Sequence, residues 1–525
     1  MKKFVFLLAV TGFLLMRPYQ IQNSGLLYTD DDEDYFAHAT AIVFGNFPDY
    51  SKEYFNRGEN ASKKVPMGSI GCSILASPFV MLFSLTDRIL HSPIIGERTR
   101  ESIVKSWASF GFIVGTHFYF WLAAALLFIV LRRLFDSHCA GIALLLMLIA
   151  QGMPLYLYRR PVFSHIYEFF LQACVISACA YRDRLKTSAM TVILIGILSG
   201  LITLTRLNNI HFALLAPLLF FGLNRSISFR TRLAKIVMSL SVAALLISLF
   251  KLWPLLHNAT PEPYTGTSTI LLKTMNLRSL MLRILHILGG TDWGLLYTLP
   301  FFLIGTLTLL AFTSQGRDIP LRTECLILTL ALTLNFFVLI QWGTQGGWYG
   351  YRFLMFSAIP ISIIPLAGLL HHVDTMGNSK RRALYVLLAA LAIQPVFSML
   401  AFDGNNTNLT LHPVDGWGWG NPTYQIEPWK TLLHNPVQLA IALLKGGPLY
   451  AVYALAHLSG SEHRLPQIVL EKYPQFDWTT LIKSSLLYLY PLILLVWFST
   501  LKRLPYRLAT RLLRTHRSGA GVIPS

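Results

Sequence analysis

Apolar runs of roughly bilayer-crossing length recur along this chain at residues 4–22, 107–131, 139–156, 162–181, 188–205, 208–223, 235–255, 297–313, 324–341, 353–371, 383–401 and 483–501. A membrane-crossing helix needs about 20 mostly apolar residues. The pattern therefore predicts an all-α polytopic membrane protein with about 12 transmembrane helices. Two other apolar stretches do not fit this count. Val65 to Leu90 carries Gly68, Gly71 and Pro78, and inserting it would reverse every later loop, so it is expected to lie in the interface or to re-enter. Val437 to Leu458 is split by Lys445-Gly-Gly-Pro448 and is expected to form two short interfacial helices.

The basic residues give the orientation. With the amino terminus in the cytoplasm, Arg132 and Arg133, Arg182 and Arg184, Arg230 and Arg232, Arg317 and Arg322, and Lys380 to Arg382 all fall in inside loops, and the tail adds Lys502, Arg503 and Arg507. This obeys the positive-inside rule. The first run follows Lys2-Lys3 and has the outline of a signal peptide, but no small-x-small cleavage pattern comes after it, so it reads as an uncleaved span. Three regions result: a transmembrane core at 1–401 with a first outer loop at 23–106, a small outer-face segment at 402–482, and a last span with its basic tail at 483–525.

Composition agrees. Hydrophobic residues make up 54% of the 525-residue chain and charged residues 13%, against about 25% charged in a soluble protein. The net charge of +19 then records topology rather than nucleic-acid binding, which the sequence gives no reason to expect. The five cysteines form no paired C-x-x-C, so neither a disulfide framework nor a zinc site is signalled. The sequons at Asn60, Asn258, Asn405 and Asn408 all lie on the assigned outer side.

The chemistry concentrates at that outer side. Asp30, Asp31, Asp32, Glu33 and Asp34 form an unbroken acidic run before Tyr35, and the residues after the run have helical spacing, with Phe36, Ala39 and Val43 on one face. A like-charge run is ordinarily a solvated loop. Acids at a helix start are instead held by the helix dipole, so they are expected to be ordered on a helix lying along the membrane surface. Clustered carboxylates also suit a hard divalent cation, although the spacing matches no calcium loop and the reading requires no metal. Arg159, Arg160, Arg206 and Arg352 stand at outer helix ends, where the positive-inside rule expects few bases. They either snorkel to lipid phosphate or form a phosphate-binding cluster, for which the guanidinium fork is suited. His165 and Glu168, three apart on one helix face, are either a polar clasp or a lining of the same cavity, pairing with Arg160 or Arg206. Lys63 and Lys64 can meet a phosphate or anionic lipid.

The first span, the acidic motif Asp30-Asp-Asp-Glu-Asp-Tyr35, a membrane-parallel helix, the Lys64-Val-Pro-Met-Gly68 stretch and the many later spans together resemble the GT-C class of integral-membrane glycosyltransferases. Among these the chain is most similar to bacterial members related to protein O-mannosyltransferases and the aminoarabinose transferase of lipid A. The resemblance implies sugar transfer from a polyprenyl-phosphate donor to a lipid, glycan or protein acceptor on the outer face of the bilayer, in the bacterial inner membrane. It implies an inverting displacement with an Asp of the first outer loop as base: Asp31 or Asp32, with Asp30, Glu33 and Asp34 as alternatives. It assigns the donor phosphate to Arg352, Arg206, Arg160, Arg159 and Lys64, and the cavity lining to His165, Glu168 and Tyr351. A polysaccharide polymerase or O-antigen-ligase type usually carries its catalytic Arg and His in a large outer loop of the second half, and a lipid-linked saccharide transporter or flippase would place charge at the bundle centre.

Overall fold

The computed structural model describes residues 2–15, 31–53, 65–66, 68–95, 98, 100–185, 188–224, 226–257, 277–290, 294–342, 352–401, 427–444, 446–467, 470 and 476–500. Every regular element among them is helical. The helices used below are α1 (Lys2–Leu15), α2 (Asp31–Val43), α3 (Ile70–Ile89), α4 (Arg100–Lys105), α5 (Trp107–Leu134), α6 (Ser137–Leu144), α7 (Met153–Tyr158), α8 (His165–Ala180), α9 (Ala189–Thr205), α10 (Ile210–Pro217) and α11 (Phe229–Ile247). The later ones are α12 (Trp253–His257), α13 (Leu277–Gly289), α14 (Leu295–Thr298), α15 (Pro300–Ser314), α16 (Arg322–Trp342), α17 (Arg352–Asp374), α18 (Asn378–Ala401), α19 (Glu427–His434), α20 (Pro436–Leu444), α21 (Gly447–Leu458) and α22 (Trp478–Thr500).

Five helical segments are long and apolar enough to cross a membrane: Ile70–Ile89, Trp107–Leu134, Phe229–His257, Leu354–Asp374 and Asn378–Ala401. Shorter apolar helices occupy Lys3–Leu15, Ser137–Ile149, His165–Ala180, Ala189–Thr205, Leu207–Gly222 and Pro300–Ser314. Among the described residues the chain is all-helical, and they supply five helices of membrane-crossing length and composition where the apolar runs led to an expectation of 12. One continuous core joins α1, α2, α3, α5, α6, α8 and α17. At its centre is α17, which packs on α6, α8, α15 and α16 and has 89% of its apolar window enclosed by protein.

Three features bear on the sequence pattern. The stretch expected to lie flat or re-enter forms the single continuous helix α3, among the five of crossing length. Of its three breakers, Gly68 precedes the helix and Gly71 sits in its first turn, so only Pro78 interrupts the interior. The run 139–156 is not one helix. A π-type turn at Leu145–Ile149 is followed by a break at Gly152, whose φ of +82° is left-handed backbone open mainly to glycine, and the chain restarts as α7. Gln151 at this break uses its side-chain oxygen to accept from the Phe302 N–H at 2.8 Å, capping the start of α15. Finally, the acids of α2 are ordered and packed inside the protein, since Asp32 to Ala41 are all buried. The stretch at Val437 to Leu458 does form two helices, α20 and α21.

Gly71 shows what sets the site's frame. A Cβ there would stand 2.4 Å from the Thr205 N and 2.6 Å from the Leu204 carbonyl carbon, so α3 passes the last turn of α9 backbone to backbone. The next residue is Arg206. Gly71→Ala is expected to lower the melting midpoint in detergent, because overpacking costs about 1–3 kcal/mol against about 1 kcal/mol gained in helix propensity. Gly222→Ala, where the nearest atom would be 3.9 Å away, meets no such clash and is expected to leave the midpoint unchanged or to raise it. Equal midpoints for the two variants would refute the close crossing.

Candidate functional site

The second residue of α2 points a carboxylate at the turn between α7 and α8. Asp32 Oδ2 lies 3.1 Å from Arg160 Nη2, and both side chains are buried. Tyr35, three residues on and so on the same helix face, has its hydroxyl 3.3 Å from the Ser164 Oγ of that turn. The Arg160 guanidinium also rests 4.2 Å above the Phe163 ring. Arg159 is buried beside it and caps α7.

Phe163 connects this pair to a second group of charges. Its ring meets His165 edge-on at 5.5 Å, and His165 stacks on Phe356 of α17 with centroids 4.6 Å apart and planes 9° from parallel. Arg206, which caps α9, places Nη1 2.6 Å from His165 Nδ1 and 3.7 Å from Glu168 Oε2. A guanidinium only donates, so Nδ1 accepts and the ring proton belongs on Nε2. His165 is then neutral, and its 3.8 Å approach to Glu168 is no ion pair; Arg206 is the cation of this group. Glu168 Oε1 accepts from Ser357 Oγ at 2.7 Å.

The signs match the backbone. Asp32 and Glu168 stand in the first turns of α2 and α8, where the dipole is positive, and Arg206 comes after the last turn of α9, where it is negative. Five of the residues singled out in the sequence therefore come together: Asp32, Arg160, His165, Glu168 and Arg206, with Arg159 adjoining. Glu168 pairs with Arg206, while Arg160 serves Asp32. Arg352 opens α17 one turn before Phe356. Asp31 opens α2. Asp30, Lys63, Lys64 and Tyr351 lie outside the described residues.

Asp34 has a different task. It points to the loop before α3, where its Oδ2 accepts from the Gly68 N–H at 2.8 Å, and Ser73 Oγ donates to the Tyr35 carbonyl at 2.6 Å. The Gly68 carbonyl is held by His38 Nε2 at 3.1 Å, which must donate to it, so His38 Nδ1 accepts from the Tyr50 hydroxyl at 2.7 Å. Next to it, buried Glu53 pairs with Arg98 and accepts from Thr40 Oγ1 at 2.5 Å. These residues fasten the Gly68 loop and the 44–53 turn to α2. Sequence reasoning missed Ser357, Phe356 and Ser164, whose types are common in apolar helices and turns and whose partners lie far away in the chain.

No family model matches the sequence, and no curated protein matches it. Solved structures of an archaeal oligosaccharyltransferase, a GT-C class glycosyltransferase, are structural neighbours at low identity. The Archaeoglobus fulgidus enzyme in its apo form superimposes with a TM-score of 0.43 at 15% identity, over 78% of this chain and 56% of that one. The same organism's oligosaccharyltransferase AglB in complex with an inhibitory peptide and a dolichol-phosphate gives 0.41 at 14%, over 76% and 55%. The complex with Zn and sulfate gives 0.41 at 16%, over 75% and 52%. The chain thus spans little more than half the length of these neighbours, and no residue role is transferred from them.

The geometry sets two outcomes. Asp32 and Arg160 are both out of water, so Arg160→Gln is expected to cost about 3–5 kcal/mol by stranding a charge. Adding Asp32→Asn should cost less than the sum of the single changes by about 0.5–3 kcal/mol in denaturant unfolding. Strict additivity would contradict the pairing. Burial, and next the charge of Lys251, push His38 from 6.5 down to about 3. Below its ordinary value the unfolded chain therefore takes up a proton that the folded one refuses. Stability tied to His38 is full above about pH 6.5 and drains as the pH falls toward about 3. His38→Gln should flatten the melting midpoint across that window, and an unchanged slope would exclude His38 as its source.

Proposed function

We propose that this chain is an integral-membrane glycosyltransferase that moves a sugar from a polyprenyl-phosphate donor to a hydroxyl of a lipid, glycan or protein acceptor on the outer face of a bacterial inner membrane. The observation that carries this reading is the pairing of a buried carboxylate, Asp32, with Arg160 of the α7–α8 turn, with the Phe163 ring between that pair and the group that holds Arg206 at the end of α9. A carboxylate beside fixed cations is what displacement of a sugar from phosphate requires. The acceptor oxygen gives its proton to Asp32 as it attacks the anomeric carbon, the carbon–oxygen bond to phosphate breaks with its electron pair, and Arg206 and Arg160 hold the phosphate that leaves. Attack from the face opposite the leaving phosphate inverts the anomeric centre.

Glu168 and Ser357 have a supporting part. Their contacts hold Arg206 against His165, and His165 is fixed in turn by its stack on Phe356. Asp31 and Glu33 flank Asp32 on α2 and Asp34 holds the loop that leads from Lys64, so Asp32 is the base in this reading. Arg352 and Lys64 join Arg160 and Arg206 on the donor phosphate, and Tyr351 lines the cavity.

The test is transfer of radiolabel from a mixed set of polyprenyl-phosphate sugars in membranes carrying equal amounts of the native chain or Asp32→Asn. Removal of a general base is expected to reduce transfer at least about 100-fold, and Arg206→Gln is expected to weaken donor use. Equal labelling with native and Asp32→Asn chains would end the assignment of Asp32 as base.

A further inference from the structure

At the other end of α17, about 21 Å from Ser357 at 1.5 Å per residue, a second set of polar side chains gathers. Asp136 caps α6, and one of its oxygens, Oδ1, accepts from the N–H groups of His138 at 2.7 Å and Cys139 at 2.9 Å. Its other oxygen, Oδ2, lies 3.4 Å from His371 Nδ1 on the last turns of α17. Donor atoms of Asp136, His138 and Cys139 all fall within 4.8 Å of one another. Asp374 closes the group from α17, its Oδ2 lying 3.3 Å from Cys139 Sγ and 3.7 Å from His138 Nδ1.

We infer that Asp136, His138, Cys139 and Asp374 form a binding site for a divalent transition-metal ion of the zinc type. The donor set of one sulfur, one imidazole nitrogen and carboxylate oxygens is the mixture that such ions take, whereas magnesium and calcium take oxygen alone. The spacing fits as well. Bonds of about 2.0–2.3 Å in a tetrahedron set its ligands about 3.3–3.8 Å apart, and the Sγ–Oδ2 and Nδ1–Oδ2 separations of 3.3 and 3.7 Å fall within that span. A buried thiol among carboxylates needs a cation before it can ionise, and binding releases the thiol proton to solvent. Outer partners are in place too. Tyr385 donates to Asp374 Oδ1 at 2.9 Å, which leaves Oδ2 of Asp374 facing the group, and His371 meets Asp136 Oδ2. His138 is largely exposed, with 66% of its side chain accessible, so its ring can turn onto the ion. The candidate lies outside the acidic run, and its donors come from positions 136–139 and 374.

Cobalt(II) titration of the full chain in detergent tests this. The native protein is expected to take up one equivalent and to show a thiolate-to-cobalt charge-transfer band with intense tetrahedral d–d bands, and zinc should displace both. Cys139→Ser should abolish the charge-transfer band. His138→Gln, at an exposed position where the fold is not at stake, and Asp374→Asn should each weaken binding at least about tenfold. Asp32→Asn should bind as the native chain does. Zinc should raise the melting midpoint of the native chain but not of His138→Gln. Absence of the thiolate band from the native chain, its survival in Cys139→Ser, or loss of binding in Asp32→Asn alone would each overturn the assignment.

Discussion

Everything at the candidate site depends on burying guanidinium and carboxylate groups together. Charges taken out of water cost several kcal/mol each unless they meet opposite charge and hydrogen bonds, so Arg160 and Arg206 fix where Asp32 and Glu168 must stand. Arg160 comes from a turn, Asp32 from α2, Glu168 from α8 and Arg206 from the end of α9. Satisfying these four groups at once decides how four pieces of backbone meet. Ser357 and Phe356 extend the same constraint to α17.

Glycine and aromatic packing make that meeting possible. Gly71 lets α3 touch the backbone at Thr205, immediately before Arg206, and α3 in turn carries Ser73 on the Tyr35 carbonyl. The helix that bears Asp32 and the helix end that bears Arg206 are thereby held by one intermediary. Asp34 and His38 grip both polar atoms of Gly68, which sets the start of that intermediary relative to α2. Polar contacts inside the first loop thus serve the site even where they lie outside it.

Much of this was legible in the sequence. Basic residues at ends where the positive-inside rule expects none, an acidic run before a helical pattern, and a His-Glu pair at a three-residue spacing pointed to Arg160, Arg206, Asp32, His165 and Glu168. Which acid meets which base could not be read, because that depends on helix rotation and crossing. The fold departs from the sequence pattern where a local breaker has a local remedy. Gly68 and Gly71 fall at the entry of α3 and do not interrupt it, whereas Gly152 does break a run whose apolar character continues unchanged through Met153 to Tyr158. Hydropathy reports burial in apolar surroundings, and both a kinked helix and a broken one satisfy it. Ser357 was invisible because a serine in an apolar helix gives no sign of its partner, here 189 positions earlier. The group around Cys139 was invisible for a similar reason, since its donors are split between the start of α6 and the end of α17.

The helix termini explain why the charges gather at the ends of the bundle and not at its middle. Asp32 and Glu168 occupy first turns and Arg206 comes after a last turn, so each sits where unpaired main-chain groups and the dipole favour its sign, an effect of about 0.3–1 kcal/mol apiece that grows with burial. The same termini supply backbone donors and acceptors that a helix interior has already used. A charge placed two turns deeper would lose both contributions while its desolvation rose. Layering acids on helix starts and bases on helix ends therefore lets an apolar bundle hold a concentrated, ordered set of charges at one rim. That arrangement holds fixed cations beside a fixed carboxylate without any side chain having to be carried through the apolar core.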